Sequence, residues 1–404
     1  MKIFYITASF PYGVGESFFI PEIKALKNCG ADLYIIPISV RQNLREDWHS
    51  ISENCKLYSE KLLSVRIISS FFRFVFLHPI LLYRLLLLLK GTTIYQFIKN
   101  LAILPKSIWI ISLIIKEKPE HMHAHWGSTS STAAMLAATI TSVPWSFTCH
   151  RWDIYENNLL RRKSEYAKFV RFISNKGEFD SLKFGVISKK TVVIPMGTEI
   201  PVKPVSPGWK NNGEEFVIIC PANLLPVKGH IYLIEAIDSL LQKGYKLKLL
   251  LAGEGLLRKE LQLSIVEKGI ENKVIFLGQL SHKALLDYYS SAQIRLMVLP
   301  SVDLGNGEHE GVPVSLMEAM SYGVPVISTQ TGSINELLPK EAGLTVPEKN
   351  ANELAEKIKF LYDNSEEYLK TSKLCRKIIE DDWDVNISAR KLIFMIKNSS
   401  NIVI

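Results

Sequence analysis

Cysteine is scarce and unpatterned in this chain. Five residues (Cys29, Cys55, Cys149, Cys220, Cys375) are odd in number, far apart and without a C-x-x-C pair or Cys/His ligand spacing. This excludes a disulfide framework and points to buried thiols in a reduced compartment. A secretion signal is missing as well: the apolar stretch Ile3 to Ile6 runs straight into Thr7, Ser9, Pro11 and Gly13. That is too short for an h-region, so the chain is expected to stay cytoplasmic. No apolar run reaches the roughly 20 residues of a spanning helix, because Arg84, Lys90, Lys99 and Lys106 interrupt each candidate. Acids are nearly absent from Lys61 to Lys118. That stretch holds nine basic side chains against the single acid Glu117, so it carries the whole net charge of +8.

What is present fits a folded protein of more than one core. At roughly 150 residues per domain, 404 residues give two to three domains, and 47% hydrophobic with 22% charged residues excludes a disordered or fibrous chain. The basic stretch 61–118 is also the most apolar part, with Phe71, Phe72, Phe74, Phe76, Leu85 to Leu89, and Ile108 to Ile115 including Trp109. Such a segment lies on a bilayer or is buried. The lack of acids favours docking, with apolar side chains in the interface and basic ones on anionic headgroups. Nucleic acid is not expected as a partner, since the positive charges are diluted among leucines.

Short β-rich runs recur at Phe216 to Cys220, Leu247 to Ala252, Val274 to Leu277, Ile294 to Leu299 and Val324 to Ser328, with helical patterns between most of them. Over 231–243, Leu233, Ile234, Ile237, Leu240 and Leu241 fall on one helix face and Gly244 supplies a stop. The first half opens likewise, with strands near Lys2 to Thr7, Leu33 to Ile38 and Val192 to Ile194. The fold class is α/β: two doubly wound Rossmann-like domains, facing across a cleft at the carboxyl ends of their sheets where ligands of such folds bind. The proline-rich run from Pro201 to Gly208 reads as the linker. The boundaries expected are 1–200, a linker 201–212, 213–375, and a helix within 376–404 returning to the first domain.

Chemistry concentrates between Gly305 and Gly323. Glu310 and Glu318 stand eight apart, Gly311 gives backbone freedom, and Pro313 is expected at the first helical position. At 1.5 Å rise, eight residues cover about 12 Å, comparable to the reach from a sugar across a diphosphate to a ribose. The unpaired amides of residues 312 to 315, with the positive end of the helix dipole, form a seat for a diphosphate.

Glu310-x7-Glu318, whose second glutamate opens Glu-Ala-Met-x-x-Gly-Val-Pro-Val-Ile-Ser, resembles the signature of the retaining nucleotide-sugar glycosyltransferases of family 4, which have the two-domain GT-B fold. Further similar segments are Ser9-Phe10-Pro11 and Glu16-Ser17-Phe18, His123 to Gly127, Pro226-Val227-Lys228-Gly229-His230, Ala252-Gly253-Glu254-Gly255 and Gly332-Ser333-Ile334-x-Glu336-Leu337. The nearest likeness is to bacterial exopolysaccharide, colanic-acid and O-antigen transferases, which act on lipid-linked acceptors. By position, the resemblance implies that Glu310 contacts donor-sugar hydroxyls, Glu318 the ribose, and Lys228 the diphosphate, where it neutralises the leaving group. Gly13, Gly15, Asn223, Gly253, Gly311, Val312, Pro313 and Val314 complete the donor side. His150 would stand beside the donor sugar, acting through its carbonyl or a hydrogen bond, with Asp153 orienting the loop.

Two features bear on that carry-over. Asn223 stands where the family usually has arginine, so the phosphate charge needs another cation (Arg151, Lys189 or Arg295) or is weakly compensated. His121, His123 and His125 alternate and would share one face of a strand, a geometry a metal could use. The resemblance instead implies metal-independent catalysis without a cofactor, with His123 and His125 lining the acceptor side. Gly13-x-Gly15 lacks the third glycine of a dinucleotide fingerprint, which counts against an NAD enzyme. The mechanism implied is front-face return with retention, no carboxylate nucleophile being identifiable. The protein would work peripherally on the inner face of the cell membrane, on a polyprenyl-linked glycan acceptor. A membrane-bound scaffold that lost turnover, or a nucleotide-sugar epimerase, are the rival readings.

Overall fold

The protein is described by a computed structural model that covers residues 1–404 apart from 14, 15, 17, 41, 42, 46, 47, 49, 50, 52–54, 204–207, 401–404 and the side chain of Ser400. It divides into two compact units: Met1–Pro195 with the chain from Asn386 onward, and Met196–Val385.

Unit 1 is a parallel sheet of β1 (Lys2–Thr7), β2 (Asp32–Pro37), β3 (Lys56–Leu57), β4 (His121–His125), β5 (Trp145–Cys149), β6 (Val170–Phe172) and β7 (Thr191–Val193), in the order β3-β2-β1-β4-β5-β6-β7. Strand alternation sends the side chains of β1 to two chemically different faces. Phe4 and Ile6 join Met122, Ala124, Phe147, Val170 and Phe172 in the apolar core, which the helices Leu104–Glu117 and Thr129–Thr141 cover. Tyr5 pairs in register with His123, His123 with Ser146, and Thr148 with Arg171, giving a buried polar layer on the other face.

The basic, apolar stretch 61–118 does not behave as one segment. Helix Leu104–Glu117 is core: Ile108, Trp109, Ile110, Ile111, Leu113 and Ile114 are buried, and so is Lys106. Lys106 donates to the Glu60 carbonyl, and burial pulls its ammonium down to about 8. Lys99, expected at a bilayer surface, pairs instead with Glu156 at 2.6 Å. The helices Val65–Leu77, Pro79–Leu87 and Ile94–Ala102 do expose large apolar side chains, among them Phe72, Phe76 (86% exposed), Ile80, Tyr83, Ile94 (80%) and Tyr95. Arg73, Arg84 and Lys90 are exposed among them. Among the described residues, no single helix is long and apolar enough to cross a membrane.

Unit 2 is a parallel sheet of β8 (Phe216–Pro221), β9 (Leu247–Ala252), β10 (Val274–Gly278), β11 (Leu296–Leu299), β12 (Val326–Thr329) and β13 (Thr345–Val346), in the order β10-β9-β8-β11-β12-β13. The expected strand at Val324 starts two residues later, since Pro325 has no N–H for a ladder and its carbonyl accepts from Met297. Two boundary expectations shift for packing reasons. Of the expected linker, Pro204–Pro207 fall outside the described residues, whereas Trp209 is core, its indole donating to the Tyr362 carbonyl at 2.8 Å. Helix Ser365–Asp382 stays with unit 2 because Tyr368, Cys375 and Ile379 are buried in its core and Arg376 donates to the Ser321 carbonyl. The helix associated with unit 1 is therefore the later one, Val385–Ser400.

Candidate functional site

In unit 2 the strand order reverses between β8 and β11, the place where an open parallel sheet offers a crevice at its carboxyl edge. The loops leaving these strands carry the expected residues. Lys228 ends the short turn Pro226–Lys228 after β8, and Glu310 lies in the loop after β11. Lys228 Nζ meets Glu310 Oε2 at 2.5 Å in a partly buried ion pair, and Ser301 Oγ donates to the same oxygen at 3.2 Å. Backbone packing fixes both loops. The amide of Val302 donates to the carbonyl of Val227 at 2.9 Å. A Cβ on Gly229, whose φ is +65°, would stand 2.0 Å from the Pro300 carbonyl oxygen. Behind Glu310, a Cβ on Gly332 (φ +57°) would meet the Glu310 carbonyl oxygen at 1.9 Å, and the Ser333 amide donates to that carbonyl. Only glycine permits these approaches.

Helix Val314–Ser321 follows. Pro313 is its N-cap, extended at ψ 115°, and not its first residue. As an imino acid it offers no N–H, so the expected donor row of 312 to 315 reduces to Val312, Val314 and Ser315. Only the steps from Val314 are helical, so helical rise does not set the Glu310 to Glu318 separation. Glu318, in the second turn, is buried and its Oε1 lies 2.7 Å from His282 Nε2. His282 opens the helix after β10. Gly311 has open space where a Cβ would be. Gly253 is a packing residue, its would-be Cβ 2.2 Å from the Ala222 carbonyl oxygen, and Asn223 beside it is exposed. His282 and Ser301 carried no sequence signal.

Of the cations considered for the place of Asn223, Arg295 and Lys189 precede β11 and β7, at the amino-terminal edges of their sheets and away from the carboxyl-end loops. Arg295 is engaged with Glu214 and the ring of Trp209. Arg151 follows β5 at a carboxyl edge, in unit 1.

Unit 1 has its own strand-order reversal, between β1 and β4. The loop after β1 is held by Glu16, whose carboxylate accepts from the amides of Ser9 and Phe10, from Ser9 Oγ, and from Trp126 Nε1 at 2.5 Å. Gly13 adopts φ +81°, and its amide is already donated to the Asn43 carbonyl, so it does not lie open to phosphate as expected. Gly15 lies outside the described residues. His150 caps helix Arg151–Glu156. Its carbonyl accepts from the amides of Asp153 and Ile154, and its amide donates to Asp153 Oδ2 at 2.9 Å. Its carbonyl is therefore committed to the helix, and its ring is engaged as well: the side chain accepts from the Asp153 amide in a capping box, and Nε2 lies 2.7 Å from His125 Nε2.

His121, His123 and His125 do share one face, as the alternation requires, and are fully buried. His123 hydrogen-bonds Ser146 Oγ (2.8 Å) and Thr148 Oγ1 (2.9 Å) through its two nitrogens, so it does not line an acceptor surface. His125 is likewise interior: Nδ1 lies 2.7 Å from Tyr5 Oη and Nε2 lies 2.7 Å from His150 Nε2. Burial lowers both histidines below the usual range, keeping the rings neutral.

The model of the family Glycosyl transferases group 1 matches residues 205–379. A relative from Escherichia coli K12, WcaL, assigned to colanic acid biosynthesis, is 30% identical over 289 residues, 67% of this chain and 68% of its own length. The chain belongs to the group 1 glycosyl transferases. The amylovoran biosynthesis glycosyltransferase AmsK of Erwinia amylovora is 31% identical over 176 residues, 43% of each chain. Among solved structures, Anabaena HepE in complex with UDP has a TM-score of 0.70 at 17% identity, covering 98% of this chain and 100% of that one. TarM has a TM-score of 0.69 at 13% identity, with 98% of each covered. These likenesses place this glycosyltransferase in the GT-B class, with two parallel-sheet Rossmann-like units.

Proposed function

We propose that this glycosyltransferase moves a sugar, with retention, from a nucleoside-diphosphate sugar to a polyprenyl-linked glycan at the cytoplasmic face of the membrane, in surface polysaccharide synthesis. The observation that carries the donor half is the Lys228–Glu310 pair at the reversal of the unit 2 sheet, beside the free amides of Val314 and Ser315. A diphosphate arriving there exchanges one anion for another at Lys228. It releases Glu310 to accept hydrogen bonds from sugar hydroxyls, while the helix amides take a second phosphate oxygen. Glu318, oriented by His282, accepts from the ribose diol. As the anomeric bond breaks, negative charge grows on the leaving phosphate, where Lys228 and the helix terminus are already aimed. This cationic and dipolar seat performs the neutralising role without a metal ion, and EDTA is expected to leave turnover unchanged. The relatives named for colanic acid and amylovoran synthesis, and the UDP bound by HepE, support the polymer and the donor class.

The acceptor half rests on the exposed apolar side chains of Val65–Leu77, Pro79–Leu87 and Ile94–Ala102 with Arg73, Arg84 and Lys90 among them, a surface suited to anionic lipid. Glu318→Ala is expected to lower donor affinity at least 100-fold by calorimetry, and full retained affinity would remove the assigned role. Nucleoside diphosphate is expected to be released only when a lipid-linked acceptor is supplied, which an epimerase or an inert scaffold would not do. Changing Arg73, Arg84 and Lys90 to Gln is expected to release the protein from anionic vesicles, read by co-sedimentation.

A further inference from the structure

Two ionised groups buried in unit 1, Arg171 and Glu22, take no part in the donor site, yet they begin a line of contacts that runs to His150. Arg171 in β6 is fully buried: Nη1 donates to Glu22 Oε2 at 2.7 Å, and Nε and Nη2 donate to the carbonyls of Ile194 and Pro195. Glu22 lies on helix Phe19–Asn28, and its other oxygen, Oε1, accepts from Tyr5 Oη at 2.5 Å. Tyr5 Oη is also 2.7 Å from His125 Nδ1, and His125 Nε2 is 2.7 Å from His150 Nε2. The direct approach of His125 Nδ1 to Glu22 Oε1 is 3.6 Å, too long for a hydrogen bond. Tyr5 is therefore the link.

The order of protons along this chain follows from donor counting. Arg171 keeps Glu22 well below the usual carboxylate range, so Glu22 is an anion and accepts only. The single hydroxyl proton of Tyr5 must point at Glu22, which leaves the Tyr5 oxygen to accept from His125 Nδ1–H. A neutral His125 then has a bare Nε2, and the proton shared with His150 must sit on His150 Nε2. Closely packed rings leave little room for reorientation: Phe19 lies edge-on 4.1 Å from His125, and Trp126 lies tilted 4.3 Å from His150, centroid to centroid.

We propose that Glu22 and Tyr5 are positioning residues of the glycosyl transfer: through His125 they fix His150 as the Nε2–H tautomer, with Nδ1 the acceptor that meets the Asp153 amide of the capping box. The proposal rests on the glycosyl transfer proposed above and on the place beside the donor sugar that the family resemblance implies for His150. A ring locked in this way cannot swap donor for acceptor as charge develops, so its dipole is set before substrate arrives.

Two-bond 1H–15N spectra of the wild-type imidazole rings near pH 7 test the proton order without reference to activity. His125 is expected as Nδ1–H and His150 as Nε2–H, and a His150 carrying its proton on Nδ1 overturns the proposal. Tyr5→Phe keeps the ring and removes the link. Both histidines are then expected to lose their single tautomer, with kcat falling about tenfold or more while the donor KM stays within about twofold. Wild-type kcat in a variant whose tautomers have scrambled overturns the positioning role. Should Tyr5→Phe not fold, the wild-type spectra decide. His150→Ala separates the two readings, since undiminished turnover there sinks the placement of His150 at the reaction centre whatever the spectra show.

Discussion

Both faces of the unit 2 sheet are apolar. Ile218, Ile219, Leu249, Leu250, Leu251, Met297 and Val298 are all buried in one hydrophobic cluster. In unit 1 only one face is wholly apolar, since the other mixes Ile3, Leu33 and Ile35 with polar groups. The other holds Tyr5, His121, His123, His125, Ser146, Thr148 and Arg171, with Glu22 above them, all buried. The two units use the same parallel βαβ construction and bury different chemistry with it. Unit 2 places Lys228 and Glu310 in carboxyl-edge loops and Glu318 on the helix that follows, and the faces of its sheet are left to packing. Unit 1 carries charge into its interior, where every member needs a partner to offset desolvation. The difference teaches that a polar layer in such a sheet ties distant strands and helices together through hydrogen bonds, out to His150 through His125, at a cost in robustness.

The comparison breaks most sharply at Arg171. Arg171→Met leaves Glu22 as a buried, uncompensated anion and is expected to destabilise unit 1 by about 3–5 kcal/mol, measured by hydrogen exchange of β4 and β5 amides, with β8 and β9 unaffected. In unit 2 the corresponding damage is a cavity: Leu249→Ala is expected to cost about 2–5 kcal/mol with no dependence on pH. Acidification of the wild type sharpens the contrast further. Burial lowers His121 to about 3 and pushes His123, His125 and His150 below their ordinary range. The unfolded chain thus binds more protons, so this stability is complete above about pH 6.5 and is lost as pH falls below it. Glu22, also lowered, adds its loss below about pH 4.5. The strands of unit 1 are therefore expected to exchange before those of unit 2 as pH drops from 7 to 5. Exchange that accelerates equally in both units would remove the distinction. The smallest effect is expected from Arg171→Met combined with Glu22→Leu, which removes both charges and restores most of the lost stability.

Much of this was legible in the sequence. Leu247 to Ala252 reads as a buried strand from its apolar run alone and is one. The helix at 230–242 was visible in its periodicity. Lys228, Glu310 and Glu318 were singled out in the sequence because they fall within segments that resemble a family signature. The basic segment was misjudged in part because periodicity cannot tell a helix inserted in a core from one lying on a surface. Lys106 and Arg73 look alike in sequence, yet one is buried over Trp109 and the other exposed. Nor did anything in the sequence tie Glu22 to Arg171, which are 149 positions apart.

The sequence by itself determined many of the strands, the helices between them and the family signature that carries Glu310 and Glu318. These depend on side-chain period, backbone freedom and local spacing, all properties of neighbouring residues. Tertiary structure alone decided which face of the first sheet would hold polar groups, which partners the histidine nitrogens would meet, and which of the nine basic side chains between Lys61 and Lys118 would meet solvent. Those outcomes depend on desolvation and hydrogen-bond partners, and the partners arrive from strands and helices far away along the chain.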